Sequence, residues 1–168
     1  MVEKKIKELT KESFKIYGDY ASMLEPQGVK FGTAPVEFFR DMLQMSLGNS
    51  NCVSFSLCRL EKRPFVIEAS EYHNFAGEMI IPLDGDILMH VGPAVDTDEV
   101  PVEQIEIFRV PKGTAICIRP GVWHQAAFAY GCDRVHILVA LPERTYKTDC
   151  HLFPLAPEKQ IRIIDQAE

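Results

Sequence analysis

The sequence predicts an all-β fold, a sandwich or barrel. Three observations predict it. Seven short runs rich in Val, Ile and Phe follow one another between residues 52 and 141. Gly, Pro and Asp separate them, as turns separate strands. No repeat of solenoid period and no low-complexity segment interrupts the pattern.

Ahead of the runs, the stretch 6–22 carries a possible short helix. Thr10 would start it, Phe14 and Tyr17 sit at helical spacing, and Gly18-Asp19 would end it. Residues 36–47 are a second candidate helix, although their apolar positions also suit a strand. The β-type runs are 52–60, 65–69, 78–83, 86–91, 105–110, 115–119 and 134–141. Turn signals between them include Leu83-Asp84-Gly85-Asp86, Val110-Pro111-Lys112-Gly113 and Arg119-Pro120-Gly121. The Pro-rich stretch 92–101 reads as a loop. In the tail, 154–168, Ile161–Ile164 is one more possible edge strand. With 168 residues, one domain is expected across 1–168, since about 100–200 residues per domain is usual. Its barrel core would span about 51–145, with both ends packed on it as extensions.

Composition narrows the function. Apolar residues make up 46% and charged residues 25%, which is globular and excludes disorder. Lys plus Arg number 18 against 24 Asp plus Glu, a net charge of −6. With no basic block and no interleaving of basic and aromatic residues, neither nucleic acid nor an anionic membrane surface is an expected partner. No stretch approaches the roughly 18 apolar residues of a membrane span. The opening Met-Val-Glu-Lys-Lys-Ile has no apolar run behind its charges, unlike a secretory leader. The five cysteines, an odd set without a CxxC pair, read as reduced thiols in a cytoplasmic protein.

Two segments carry the chemistry. The first is Glu71-Tyr72-His73-Asn74-Phe75-Ala76-Gly77-Glu78, with Gly85 further on; the second runs from Gly113 through Arg119-Pro120-Gly121-Val122-Trp123 to His124. Glu71 and His73 are two apart, so on a strand they share a face. A barrel can bring them to one place with Glu78 and His124. Two imidazoles and a carboxylate suit Zn, Ni, Mn or Fe. His73, Glu78 and His124 are therefore candidate metal ligands, with Glu71 a possible fourth. His90 and His136 lie in strand-like runs, where either could face the pocket.

These segments resemble the two motif regions of the cupin superfamily. In metal-binding cupins the first supplies His-x-His and a Glu, the second Pro-x-Gly and a further His. Here Glu71 takes the place of the first His, and the second region has Pro-Gly. The resemblance implies a double-stranded β-helix, or jelly-roll barrel, with a short N-terminal extension. Over most of the chain the sequence resembles the ureidoglycolate lyase branch of the cupins. Leu9 to Phe14 with Tyr17-Gly18-Asp19, Glu71-x-His73 with Ile80-Ile81-Pro82-Leu83, Gly121-Val122-Trp123-His124 and Asp149-Cys150 carry that likeness. Such proteins release urea from ureidoglycolate to give glyoxylate in purine breakdown. This chain has Glu78 where that branch usually has Gln, Gln125 where it has a second His, and Cys117-Ile118 where it has Asn-Tyr. The extra carboxylate favours a divalent cation.

The reaction must deprotonate a hydroxyl while a C–N bond breaks. The expected acid/base residues are His73, His124, Glu71 and His136. Arg119 would pair with a substrate carboxylate, and Trp123 and Gln125 would line the pocket. Two alternatives stay open. One is another metal-dependent cupin enzyme, an isomerase or oxygenase acting on a small sugar or acid. The other is a non-catalytic cupin that binds a small molecule. A homodimer is implied by the resemblance, and runs such as 52–57 could cover a sheet edge in it.

Overall fold

The computed structural model describes residues 1–165. In chain order the strands are β1 (Val2–Glu8), β2 (Gly18–Ser22), β3 (Lys30–Thr33), β4 (Val36–Phe39) and β5 (Val53–Glu61). They continue with β6 (Val66–Ile67), β7 (Ala69–Tyr72), β8 (Glu78–Pro82), β9 (Asp86–Val91) and β10 (Glu106–Val110). The last five are β11 (Thr114–Ile118), β12 (Phe128–Tyr130), β13 (Arg134–Pro142), β14 (His151–Pro154) and β15 (Ile161–Ile164). Two single-turn α-helices, α1 (Lys11–Phe14) and α2 (Thr145–Thr148), and a 3₁₀ turn at Val102–Gln104 complete the list.

One sheet has the order β12-β9-β10-β1-β15-β6 and a second the order β2-β11-β8-β13-β5. The consecutive pairs β8/β9, β10/β11 and β12/β13 each split between the two sheets. The chain thus crosses from sheet to sheet at each corner, which is the expected double-stranded β-helix. The corners fall at the Gly-containing turns. At one of them Thr114 N–H donates to the Pro111 carbonyl, 3.0 Å away. Gly113 sits there at φ +71°, the left-handed conformation required at the third position of such a turn.

Alternation along the strands builds two cores. Ile80, Ile116, Ile118 and Ile137 of the five-stranded sheet meet Ile87, Met89, Val91, Phe108 and Val110 of the six-stranded one. Phe14 of α1 closes this layer edge-on against Phe108, ring centres 5.5 Å apart. On the other face of the six-stranded sheet, Leu88 and Ile107 join Ile67, Trp123, Phe128, Ile161 and Ile163 in a second cluster.

Strands on either side confine the short helix expected within 6–22. Residues 6–8 end β1, which pairs in parallel with β10 and β15. Only one helical turn survives, capped by Thr10, whose side chain accepts from Ser13 N–H. Gly18 then opens β2, which lies so close on β11 that a Cβ at this position would meet the Cys117 carbonyl oxygen. Within 36–47, the first four residues are a strand and the rest irregular. The segment Ile161–Ile164 is no edge strand: β1 flanks it on one side and β6 on the other, and its Ile161 and Ile163 are buried. The β3–β4 hairpin pairs only with itself, and Phe31, Val36 and Phe38 on it are exposed.

Candidate metal centre

Main-chain pairing brings the two informative segments together. Glu71 N–H donates to the His124 carbonyl at 2.7 Å, and His124 N–H returns a bond to the Glu71 carbonyl at 2.8 Å. The turn before His124 has Pro120 at its second position and Gly121 at its third, with φ +80°. Gly121 N–H donates to the His73 carbonyl at 2.7 Å. Reciprocal bonding between two antiparallel residues puts their side chains on the same side. Glu71 and His73 share that side by the period of two. Glu78, the first residue of β8, completes the group from the neighbouring sheet.

Glu78 Oε2 lies 3.1 Å from His73 Nε2 and 3.1 Å from His124 Nε2. All three residues are buried, and one donor atom from each lies within 4.8 Å of the others. The far side of each ring decides which proton it carries. His73 Nδ1 is 2.6 Å from the Asp149 carbonyl, and His124 Nδ1 is 2.9 Å from the Val122 carbonyl. A carbonyl can only accept, so each Nδ1 bears hydrogen. Each neutral ring then aims the lone pair of Nε2 at a carboxylate oxygen, which also only accepts. Three acceptors facing one another in a buried site call for a cation. Metal–ligand bonds of about 2.0–2.2 Å place neighbouring donors roughly 3 Å apart, which matches the two 3.1 Å separations from Glu78 Oε2. The cluster could therefore hold a divalent metal ion, and three ligands leave positions open for a small molecule.

Without a metal, protons must supply the positive charge. Burial pushes the Glu78 carboxyl up, but hydrogen bonds and charge from His124 and His73 outweigh it and hold the pKa down at about 2. His124 shows the mirror effect. Burial disfavours its cation, yet the bond to Glu78 and its charge raise the pKa above the ordinary value.

Supporting contacts surround the cluster. Ser70 Oγ–H donates to the His124 carbonyl at 3.2 Å, and His90 Nε2 lies 3.0 Å from the same Oγ. Ser70 and Tyr72 alternate with Glu71 and His73, so they face away from the cluster and into the second core. His90 is buried beside Ser70, its pKa pushed down to about 3 by burial, then by His124 and Arg63. It is a neutral support rather than an acid/base group facing the pocket. Cys150 Sγ–H donates to Glu71 Oε2 at 2.9 Å. Burial and that carboxylate push the thiol up to about 12.

The other sequence candidates land in varied places. Glu71 is on the right face, yet its carboxylate is held by Cys150 and stands outside the three-donor cluster. His136 belongs outside the barrel. It alternates with the buried Val135 and Ile137 on β13, and its ring is paired with Asp84 at 2.6 Å. Arg119 does not turn to the cluster, because its guanidinium is engaged by the Lys15 carbonyl and by Asp19 at 3.1 Å on the surface. Trp123 is a core residue, 4.7 Å between ring centres from Tyr72, and points opposite to its neighbour His124. Gln125, half-buried, accepts from Ala126 N–H through its own side chain. Asp149, which accepts from His73, carried no local sequence signal for a site. Only the likeness at Asp149-Cys150 marked that stretch. No helix among the described residues is long and apolar enough to cross a membrane.

A family model described as ureidoglycolate lyase matches residues 2–162. No curated protein matches the chain. Among solved structures, a Bacillus subtilis oxalate decarboxylase with characterised Mn(II) centres aligns over 61% of this chain and 24% of its own. The TM-score is 0.43 and the identity 14%. Peruvianin-I, a cysteine peptidase from Thevetia peruviana latex, aligns over 62% of this chain and 57% of its own, with TM-score 0.45 and 15% identity. The aligned part thus spans about a quarter of the first chain and just over half of the second.

Proposed function

The chain belongs to the ureidoglycolate lyase family, and from that premise we propose that it cleaves ureidoglycolate to glyoxylate and urea at the His73–Glu78–His124 cluster. One observation carries the placement: two imidazoles and a carboxylate meet in a buried site with all three donor atoms presenting lone pairs. His73, Glu78 and His124 would hold a divalent ion there, with Zn, Ni, Mn and Fe all suited to the donors. When bound, such an ion would lower the pKa of a substrate hydroxyl and help hold the substrate.

The residues of the chain supply the proton chemistry. In the cleavage, the substrate hydroxyl loses its proton and its oxygen becomes the aldehyde carbonyl of glyoxylate. The C–N bond breaks, and its electron pair stays on the urea nitrogen, which takes up a proton. In this reading Glu71 moves that proton. It lies on the same face as His73 and His124, and Cys150 holds its Oε2, which leaves Oε1 to accept from the hydroxyl and return the proton to the nitrogen. His136 is outside the barrel and takes no part.

A second reading has a specific observation in its favour. The raised pKa of His124 fits a metal-free cluster in which protonated His124 donates to Glu78 and serves as an acid. Elemental analysis separates the two. The family match favours the lyase over an isomerase, an oxygenase or a non-catalytic binding cupin.

The chain acts on a small molecule as one folded unit, and a homodimer is part of this reading. Exposed Phe31, Val36 and Phe38 on the lone hairpin, with Phe55 and Leu57 on β5 at the free edge of its sheet, support it. The five unpaired cysteines support a reducing, cytoplasmic setting. The test is direct. Purified protein incubated with ureidoglycolate should release glyoxylate faster than spontaneous decay, and no release above that rate rejects the proposal.

A further inference from the structure

We propose that Asp149 is a positioning residue that sets the aim of His73 into the metal cluster. This rests on the metal-site reading above. The main-chain carbonyl of Asp149 accepts from His73 Nδ1–H at 2.6 Å. Its buried carboxylate accepts from three consecutive main-chain donors: Asn74 N–H at 2.8 Å on one oxygen, and Phe75 and Ala76 N–H at 2.9 and 3.2 Å on the other. These three donors lie in the short loop that joins His73 to Glu78. One residue therefore grips both the ring of the first ligand and the backbone leading to the second.

The grip is itself anchored. Asp149 N–H donates to the Thr145 carbonyl at 2.9 Å, at the end of α2. Thr145 is buried and donates its hydroxyl to the Pro142 carbonyl at 2.8 Å, where β13 ends. Position passes from the barrel strand β13 through α2 to Asp149, and from there to His73. The following residues extend the contact along the same segment. Cys150 donates to Glu71, and β14 begins at His151, paired with Tyr72 in β7 and stacked on its ring at 5.0 Å. Removing the carboxylate leaves three donors of the loop without their partner, one of them on the buried Ala76. That costs more than a missing contact on an open surface, because water does not fully replace it. The loop then has no reason to hold His73 Nε2 at 3.1 Å from Glu78.

The experiment compares wild type, Asp149→Ala and Asp149→Asn, each stripped of metal and titrated with Co(II), following visible absorption and affinity alongside thermal unfolding. Asp149→Ala keeps the main-chain carbonyl that accepts from His73 but frees the backbone of 74–76 that fixes the ring's position. Disturbing the groups that orient a ligand costs about 10–100-fold in metal affinity, so the variant should bind Co(II) at least tenfold more weakly and with altered absorption bands. Asp149→Asn keeps one acceptor for Asn74 but turns an NH2 toward Phe75 and Ala76, and it should fall between. If Asp149→Ala fails to fold, the Asn variant decides. Folded variants that keep wild-type affinity and wild-type bands while losing only thermal stability overturn the proposal. Wild-type protein that takes up no Co(II) overturns the metal reading, and this proposal with it.

Discussion

Glu71 and His124 hold each other by main-chain hydrogen bonds in both directions, at 2.7 and 2.8 Å, and so present their side chains on one side of the barrel. That single pairing turns two remote stretches of sequence into one site. It also sets the two carboxylates apart. Glu78 is occupied between two imidazoles, while Glu71 stands beside them with one oxygen held by Cys150.

The first prediction follows from that division of labour. Glu71→Gln removes the proton acceptor and leaves the three donors in place. General base catalysis contributes about 10²–10⁴-fold, so kcat should fall by at least a hundredfold while metal content stays at the wild-type level. Steady-state glyoxylate release with parallel elemental analysis checks it. Unchanged kcat would assign the proton to another group.

The pH dependence of the metal-free protein has a definite sign. Glu78 is held near 2 in the fold against about 4.3 unfolded, so its contribution is complete above the unfolded value and is lost as pH falls toward 2. His124 is raised from about 6.5, so its contribution is complete below that value and is lost as pH rises through the raised pKa. Buried His90, held down at about 3 in the fold against about 6.5 unfolded, adds stability that is lost as pH falls below that unfolded value. Chelated protein should therefore resist urea best near about pH 6.5–7 and weaken on either side. Metal uptake runs the other way, because the cation displaces protons and binds more tightly as pH rises. Urea midpoints of chelated protein that climb from about pH 7 to 9, above the unfolded imidazole range, would contradict the assignment.

His136→Ala should be nearly silent. The ring pairs with Asp84 on the outer surface, where an exposed ion pair is worth about 0–1 kcal/mol. Glyoxylate release should match wild type within experimental error, and thermal unfolding should shift little. A large loss of kcat would return His136 to the site.

The proposed dimer is tested at β5. Phe55 and Leu57 are exposed on that strand, 71% and 64% of their full area, on the unpaired edge of the sheet. The double substitution Phe55→Ser and Leu57→Ser should convert a dimer into monomer in light scattering coupled to size exclusion, with the fold retained by circular dichroism. A monomeric wild type would end the dimer reading.

Much of this architecture was legible in the sequence because the physics is local. Alternation and Gly- or Pro-containing turns marked the barrel strands, and paired spacing marked His73, Glu78 and His124. What escaped was set by contacts between distant residues. β12 is only Phe128–Tyr130, too short to show a period. β1 is charged at five of its seven positions, and only its parallel partners β10 and β15 make it a strand. Arg119 had the right chemistry for a substrate carboxylate, but Asp19 of the neighbouring strand engages it first. Asp149 looks ordinary in sequence, since its partners are the backbone of residues 74–76.

The most direct measurement is the stoichiometry of divalent metal on the purified protein, set beside that of Glu78→Gln. Replacing the shared carboxylate by an amide removes the negative charge between His73 and His124 without changing its size. About one ion per wild-type chain and a large loss in the variant is the result predicted here. Metal-free wild type that takes up no ion on reconstitution, or a variant that loads as fully as wild type, would contradict it.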